Sequence, residues 1–155
     1  MKEIAYHGGV VTFRLPAHWR EESDDNDSGV FFSGEPDAGT LRLSVITMRS
    51  PNGVNAQTPR LLLEELGSTR KIEDVGDGHA LASYQEASTE DGQAIRLHFW
   101  ELAHAVPPDH ARIAVFSFTI RTDQASDPGV RRDLAMLAAE LRRARFAREL
   151  GVIGP

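Results

Sequence analysis

Cysteine is absent from this 155-residue chain. That excludes disulfides, thiol nucleophiles and cysteine-based metal centres together. Lysine is almost absent too: of seventeen basic residues only Lys2 and Lys71 are lysines. No Walker lysine therefore follows a glycine-rich phosphate loop, and Gly76-Asp77-Gly78 has neither a third glycine nor a helix behind it. A Gly-x-Ser-x-Gly elbow is missing, as is any His-Glu-x-x-His pair. No cofactor motif is present. There is no apolar run of the ~18 residues that a membrane helix needs. The first nine residues, Met1 to Gly9, contain no apolar stretch of the kind found in a secretory leader, and the expectation is a cytoplasmic protein. Positive charge is not in excess. The net charge is -6 and the isoelectric point about 5.5, which disfavours nucleic acid as the main partner.

What is there reads as one domain. A chain this long buries roughly 70% of its unfolded surface and needs no covalent staple. Val10 to Leu15 alternates Val11, Phe13 and Leu15 on one face, and Pro16 ends it as a strand. Val30 to Ser33 and Leu41 to Met48 are two further strands. Ahead of them Glu21 to Ser28 reads as an acidic loop. Thr58-Pro59 opens a helix that runs to Leu66 and stops at Gly67, with Leu62, Leu63 and Leu66 as its buried stripe. Ala80 to Ala87, Gln93 to Ala105 and Ala111 to Arg121 form a meander. Its first turn is Asp91-Gly92, the composition of a type I′ hairpin. The third of these strands is apolar on both sides: Phe116, Phe118 and Ile120 on one, Ile113 and Val115 on the other. Such a sheet expects cover on both faces. Asp127-Pro128 starts the last helix, on which Val130, Leu134, Leu137, Ala138 and Leu141 recur at helical spacing until near Arg145. Phe146 packs where the chain leaves that helix. The fold class is α+β, with about six largely antiparallel strands and two main helices. The domain spans residues 1–146, and residues 147–155 form a tail.

The run Val11-Thr12-Phe13-Arg14-Leu15-Pro16-Ala17-His18-Trp19, a strand ending in Leu-Pro with a tryptophan shortly after, resembles the opening of PsbP-like domains. The later order is similar as well: strands, a mid-chain helix, a meander bearing Trp100, and a C-terminal helix followed by Phe146. That superfamily includes the photosystem protein PsbP, Ran-binding Mog proteins, DcrB-type proteins and effector chaperones of type VI secretion. The resemblance covers residues 10 to 146. It implies a single-domain α/β/α sandwich on an antiparallel sheet and a non-enzymatic role, usually binding another protein. It carries over no functional residue. Phe13, Pro16, Trp19, Trp100 and Phe146 match core positions. No leader of the photosynthetic or envelope branches is read in residues 1–9, so those roles are not the expectation.

Four local patterns compete with purely structural explanations. Asp24, Asn26, Ser28 and Glu35 stand at positions 1, 3, 5 and 12 of a calcium loop, with Gly29 at the bend position. Pro16 upstream and Pro36 with Gly39 downstream deny that loop its flanking helices, so a solvated acidic loop leading into a strand is preferred. Six histidines, His7, His18, His79, His98, His104 and His110, could supply imidazoles. His98 and His104 share a strand face but lie about 20 Å apart at ~3.3 Å per residue, and scattered histidines are the plainer account. Arg131, Arg132, Arg142 and Arg143 make the last helix locally basic. The two later ones favour the helix dipole, and all four are candidates for docking an acidic partner. Trp100 is a candidate for a binding groove, with core placement preferred.

The reading is thus a protein-binding adaptor or chaperone-like domain, with a homodimer left open and no membrane or nucleic-acid partner. The alternatives are a small-molecule binder or a hydrolase built on histidines and carboxylates, and a calcium-binding domain through residues 24–35.

Overall fold

The computed structural model describes residues 1–23, 28–67 and 70–147. Among them the order is β1 (Lys2–Tyr6), β2 (Val11–Leu15), β3 (Arg20–Ser23), β4 (Gly29–Phe32), β5 (Thr40–Arg49), α1 (Thr58–Leu66), β6 (Lys71–Gly76), β7 (His79–Glu90), β8 (Gln93–Val106), β9 (His110–Arg121), α2 (Pro128–Leu141) and β10 (Arg145–Phe146). The class is α+β, as expected. The strands fall into two sheets, one of seven in the order β3-β4-β5-β9-β8-β7-β6 and one of three in the order β1-β2-β10. Every pairing is antiparallel.

The expectation of about six strands is corrected to ten, and each missing strand has a physical reason. β1 alternates buried Ile4 and Tyr6 with charged or small residues over only five positions. β3, inside the span expected to be an acidic loop, is exposed at all four positions. It pairs with β4 as an edge strand, so no apolar pattern betrays it. β6 has its Ile72–Val75 alternation broken by an irregularity between Asp74 and Gly76. β10 is two residues long, but it pairs with β2 and buries Phe146. Ala147, expected in the tail, is also tied down: its N–H donates to the Val10 carbonyl at 3.0 Å and its own carbonyl accepts from Arg112 at 3.1 Å. Residues 148–155 lie outside the described residues.

The two faces of the large sheet are covered differently. Strand alternation puts Leu41, Leu43, Leu81, Leu102, Phe116 and Phe118 on one face. There they meet Val130, Leu137 and Leu141 of α2 and Phe13 and Leu15 of β2 in the main core. The Phe13 ring stands edge-on to Phe31 at 5.4 Å and to Phe116 at 5.2 Å, a favoured aromatic geometry. Gly39 is required here: a Cβ would come within 2.4 Å of the Phe118 ring. On the other face α1 covers a smaller core of Leu63, Ala80, Ala82, Ala103 and Ile113. The alanines let the helix approach closely.

Helix ends follow local chemistry. Asp127 caps α2, its carboxylate accepting from the N–H groups of Gly129 (2.8 Å) and Val130 (3.3 Å). The proposed caps of α1 do not form. Thr58 Oγ1 instead accepts from the Asn55 N–H at 2.9 Å, and Gln57 stands at the N-cap without a side-chain bond. Gly67 is extended at φ 174° instead of left-handed. Leu66, expected in the buried stripe, is 52% exposed, while Leu63 is fully buried. The hairpin is as expected: Asp91 and Gly92 both have positive φ, 52° and 79°, which the type I′ turn demands.

Candidate functional site

The β7–β8 hairpin organises the side chains of greatest interest. A two-residue turn at Asp91-Gly92 pairs Glu90 with Gln93, and from there the register runs unbroken to His79 opposite His104. The same count sets Gln85 opposite His98, Ser83 opposite Trp100 and Ala82 opposite Glu101. The sequence reading treated the histidines as scattered. Extending its own turn by register would have brought His79 and His104 together.

That pair sits at the end of the α2 face. The two imidazole centroids are 4.9 Å apart, and Phe146 stacks on His104 at 5.1 Å and tilts over His79 at 5.6 Å. Burial holds the His79 imidazole below its ordinary pKa. His104 is pushed down to about 4 by burial first, and then by His79 and Arg112. Both are therefore neutral at neutral pH. A cleft of about 380 Å³ opens here between Asp77, His79, His104, Arg145 and Phe146. Arg145 spans it by an ion pair to Asp77 at 2.8 Å. Arg112 beneath is fully buried. Among the described residues no group of three or more histidines and carboxylates is placed to hold a metal ion.

A groove of about 420 Å³ runs farther along the same face, between α2 and the β6–β8 edge. Lys71, Ser83, Gln85, His98, Trp100, Leu134, Ala135 and Ala138 are among the residues that form it. Trp100 is 7% exposed, so it belongs to the core and to the groove floor at once. Arg142 closes one end through a bidentate pair to Glu73, both contacts at 2.7 Å. The expected docking role of Arg142 thus competes with a bond inside the domain. Arg131, Arg132 and Arg143 remain exposed. Arg131 lies on the helical face of Ala135, Ala138 and Arg142, whereas Arg143 lines a different cleft with Glu3, Phe13 and Glu140.

The α1 face is only half roofed. Under α1, Arg70 pairs with buried Glu101, which also accepts from the Tyr84 hydroxyl at 3.0 Å, and the Arg70 guanidinium lies 4.2 Å over the Tyr84 ring. Beyond this border the register aligns Val30, Arg42, Ser117, Phe99 and Tyr84 in one row, with Phe32, Thr40, Thr119 and Leu97 in the next. All of these except Arg42 are half-buried, with no helix of the described residues over them, and Ile46 beside α1 is 49% exposed. Arg42 is exposed and has no carboxylate partner among the described residues.

Of the four calcium-loop residues, only Ser28 and Glu35 fall among the described residues. Asp24 and Asn26 lie outside the described residues. Strand β4 occupies Gly29–Phe32, with Phe31 in the core, and carries the chain about 10 Å further on before Glu35. Glu35 is exposed, and its N–H donates to Ser33 Oγ at 3.2 Å. Ser28 lies at the entry to that strand, half-buried.

No family model matches the chain, and no curated protein matches it. Solved structures do. A protein from Bacteroides thetaiotaomicron VPI-5482 superposes with a TM-score of 0.63 at 18% identity, over 96% of this chain and 49% of that one. This chain thus spans about half the length of that neighbour. LpqN of Mycobacterium tuberculosis, described as involved in cell envelope biogenesis, superposes with a TM-score of 0.58 at 9% identity, over 88% of this chain and 83% of its own. At such identities the likeness is one of fold. No helix among the described residues is long and apolar enough to cross a membrane.

Proposed function

We propose that the chain is a PsbP-like, non-enzymatic protein-binding domain that docks an apolar segment of its partner on the open half of the α1 face. One observation carries this: Val30, Phe32, Leu97 and Phe99 stand half-buried, and Ile46 about half exposed, on a sheet face that α1 stops short of covering. A sheet face turned to water ordinarily alternates to polar residues, and here two apolar pairs, Val30 with Phe32 and Leu97 with Phe99, stand on it. The hydroxyls of Thr40, Ser117 and Thr119 interleave with the apolar side chains. Arg42, without a carboxylate partner among the described residues, favours a partner segment that carries one. The hydrolase alternative finds less support in the clefts: the His98 groove has Ser83 but no carboxylate, and the His79–His104 cleft has Asp77 but no hydroxyl.

The test is affinity capture from the source organism with wild type and two variants. Leu97→Lys and Ile46→Lys should lose a partner that wild type retains, at unchanged melting temperature. Arg143→Glu, on the opposite side of the sheet, should retain it. A partner held equally by all forms would sink the assignment of this face.

A further inference from the structure

The groove beside α2 has a composition that protein docking on the opposite face does not explain. Its floor is apolar: Trp100 from β8 and Leu134, Ala135 and Ala138 from α2. Its rim is cationic in a chain whose net charge is -6. Lys71 lines it directly. Arg96 lies two residues before His98 on the same strand face, near enough to bear on its imidazole. Arg131 lies one turn before Ala135 on the groove side of α2. None of these three has a carboxylate in ion-pair contact among the described residues. The acid on this face of β6, Glu73, is already taken by Arg142. His98 adds a second, independent feature: its Nε2 is shut off from solvent and has no hydrogen-bond partner.

We propose that this groove binds an anionic amphiphile, a molecule with an apolar body and a single carboxylate head. The body lies along Trp100, Leu134 and Ala138. The carboxylate sits toward the rim formed by Lys71, Arg96 and Arg131. The volume of about 420 Å³ falls in the range of small-molecule sites, and the arrangement of apolar floor with few convergent polar groups is theirs as well.

Calorimetry with dodecanoate below its aggregation limit decides the matter, with dodecanol as the uncharged probe of the same chain. Dodecanoate should bind at one site, and dodecanol about tenfold more weakly, the loss expected for one charge-assisted contact. Ala138→Trp fills the groove from an exposed helix position and should abolish binding. Lys71→Glu with Arg131→Glu, both at exposed positions, should weaken dodecanoate by about tenfold or more at unchanged melting temperature, while leaving dodecanol unaffected. Leu97→Lys and Ile46→Lys should leave dodecanoate binding intact, which separates this site from the face proposed for protein docking. No heat with dodecanoate, equal affinity for the alcohol, or charge reversals without effect would each overturn the proposal. Loss of binding in Leu97→Lys would overturn it too, by moving the amphiphile to the other face.

Discussion

The two faces of the seven-stranded sheet come from the same strands and differ in what lies over them. On one, a fourteen-residue helix and a second small sheet close over Phe116, Phe118 and Leu102 until all three are fully buried. On the other, a nine-residue helix covers the strip built on Ala80, Ala82 and Ala103, and leaves the Phe99 and Leu97 rows half-buried. Apolar alternation sets which way a side chain points. What covers it is decided by the length of the connecting elements, and here they run short on one side. A surplus of apolar residues over cover is a signature of binding more than of folding.

The comparison can be broken by mutation. The largest effect belongs to the closed face: Phe116→Ala should cost about 3–5 kcal/mol, read from urea unfolding, since the ring is fully buried and meets Phe13. A loss below ~1 kcal/mol would mean that this face is as loosely packed as the other. Next comes pH. His104 carries a folded-state pKa of about 4 against an ordinary 6.5. As pH falls below 6.5 the unfolded chain takes up the proton first, so stability is full above that value and declines between 6.5 and 4. The expected decline is about 2 kcal/mol, less than the full linkage because the ring keeps some contact with water. His104→Phe, which retains a ring against Phe146, should flatten that part of the profile. A wild-type slope left intact by the substitution would remove the histidine pair from the closed face's energetics.

The helix caps give a smaller contrast. Asp127→Ala removes two cap bonds from α2 and should destabilise by about 1 kcal/mol, while Gln57→Ala at the start of α1 should change nothing measurable. Thermal melts of the two variants side by side are sufficient. Smallest of all, Phe99→Ser on the open face should shift stability by no more than ~1 kcal/mol, although it removes the ring stacked on Tyr84 at 4.8 Å. If it cost as much as Phe116→Ala, the open face would be core, and the docking proposal would lose its footing.

The sequence made the long elements legible because each carried a period and an edge signal. Asp127-Pro128 and Asp91-Gly92 are where they were expected, and the strands and helices flanking them follow. Elements without a period stayed invisible. Arg20–Ser23 has no apolar residue to alternate, and Arg145–Phe146 is too short for any pattern; both exist because a neighbouring strand offers an open edge. Leu66 was misplaced for a different reason: with three consecutive leucines, Leu61 to Leu63, plus Leu66, α1 has more apolar surface than the narrow alanine strip beneath it can take up. Of the candidate residues, Trp100 lines the groove, and Arg131 and Arg142 lie on the face of α2 that borders it, because spacing on a helix and pairing across a turn are both countable. Lys71 and Arg96 were missed, since an isolated cation on a strand gives no signal until the register is followed across the hairpin.

The small sheet joins the beginning of the chain to its end. β2 is the central strand, and one of its two partners is Arg145–Phe146. A polypeptide made from the N-terminus must therefore hold Val11 and Phe13 ready while more than a hundred further residues are added, and only the last of them close the edge. Until residue 147 emerges from the ribosome, the carbonyl that accepts from buried Arg112 is missing. Synthesis halted at residue 141 should leave a nascent chain open to protease, and the addition of residues 142–147 should close the edge in a single late step.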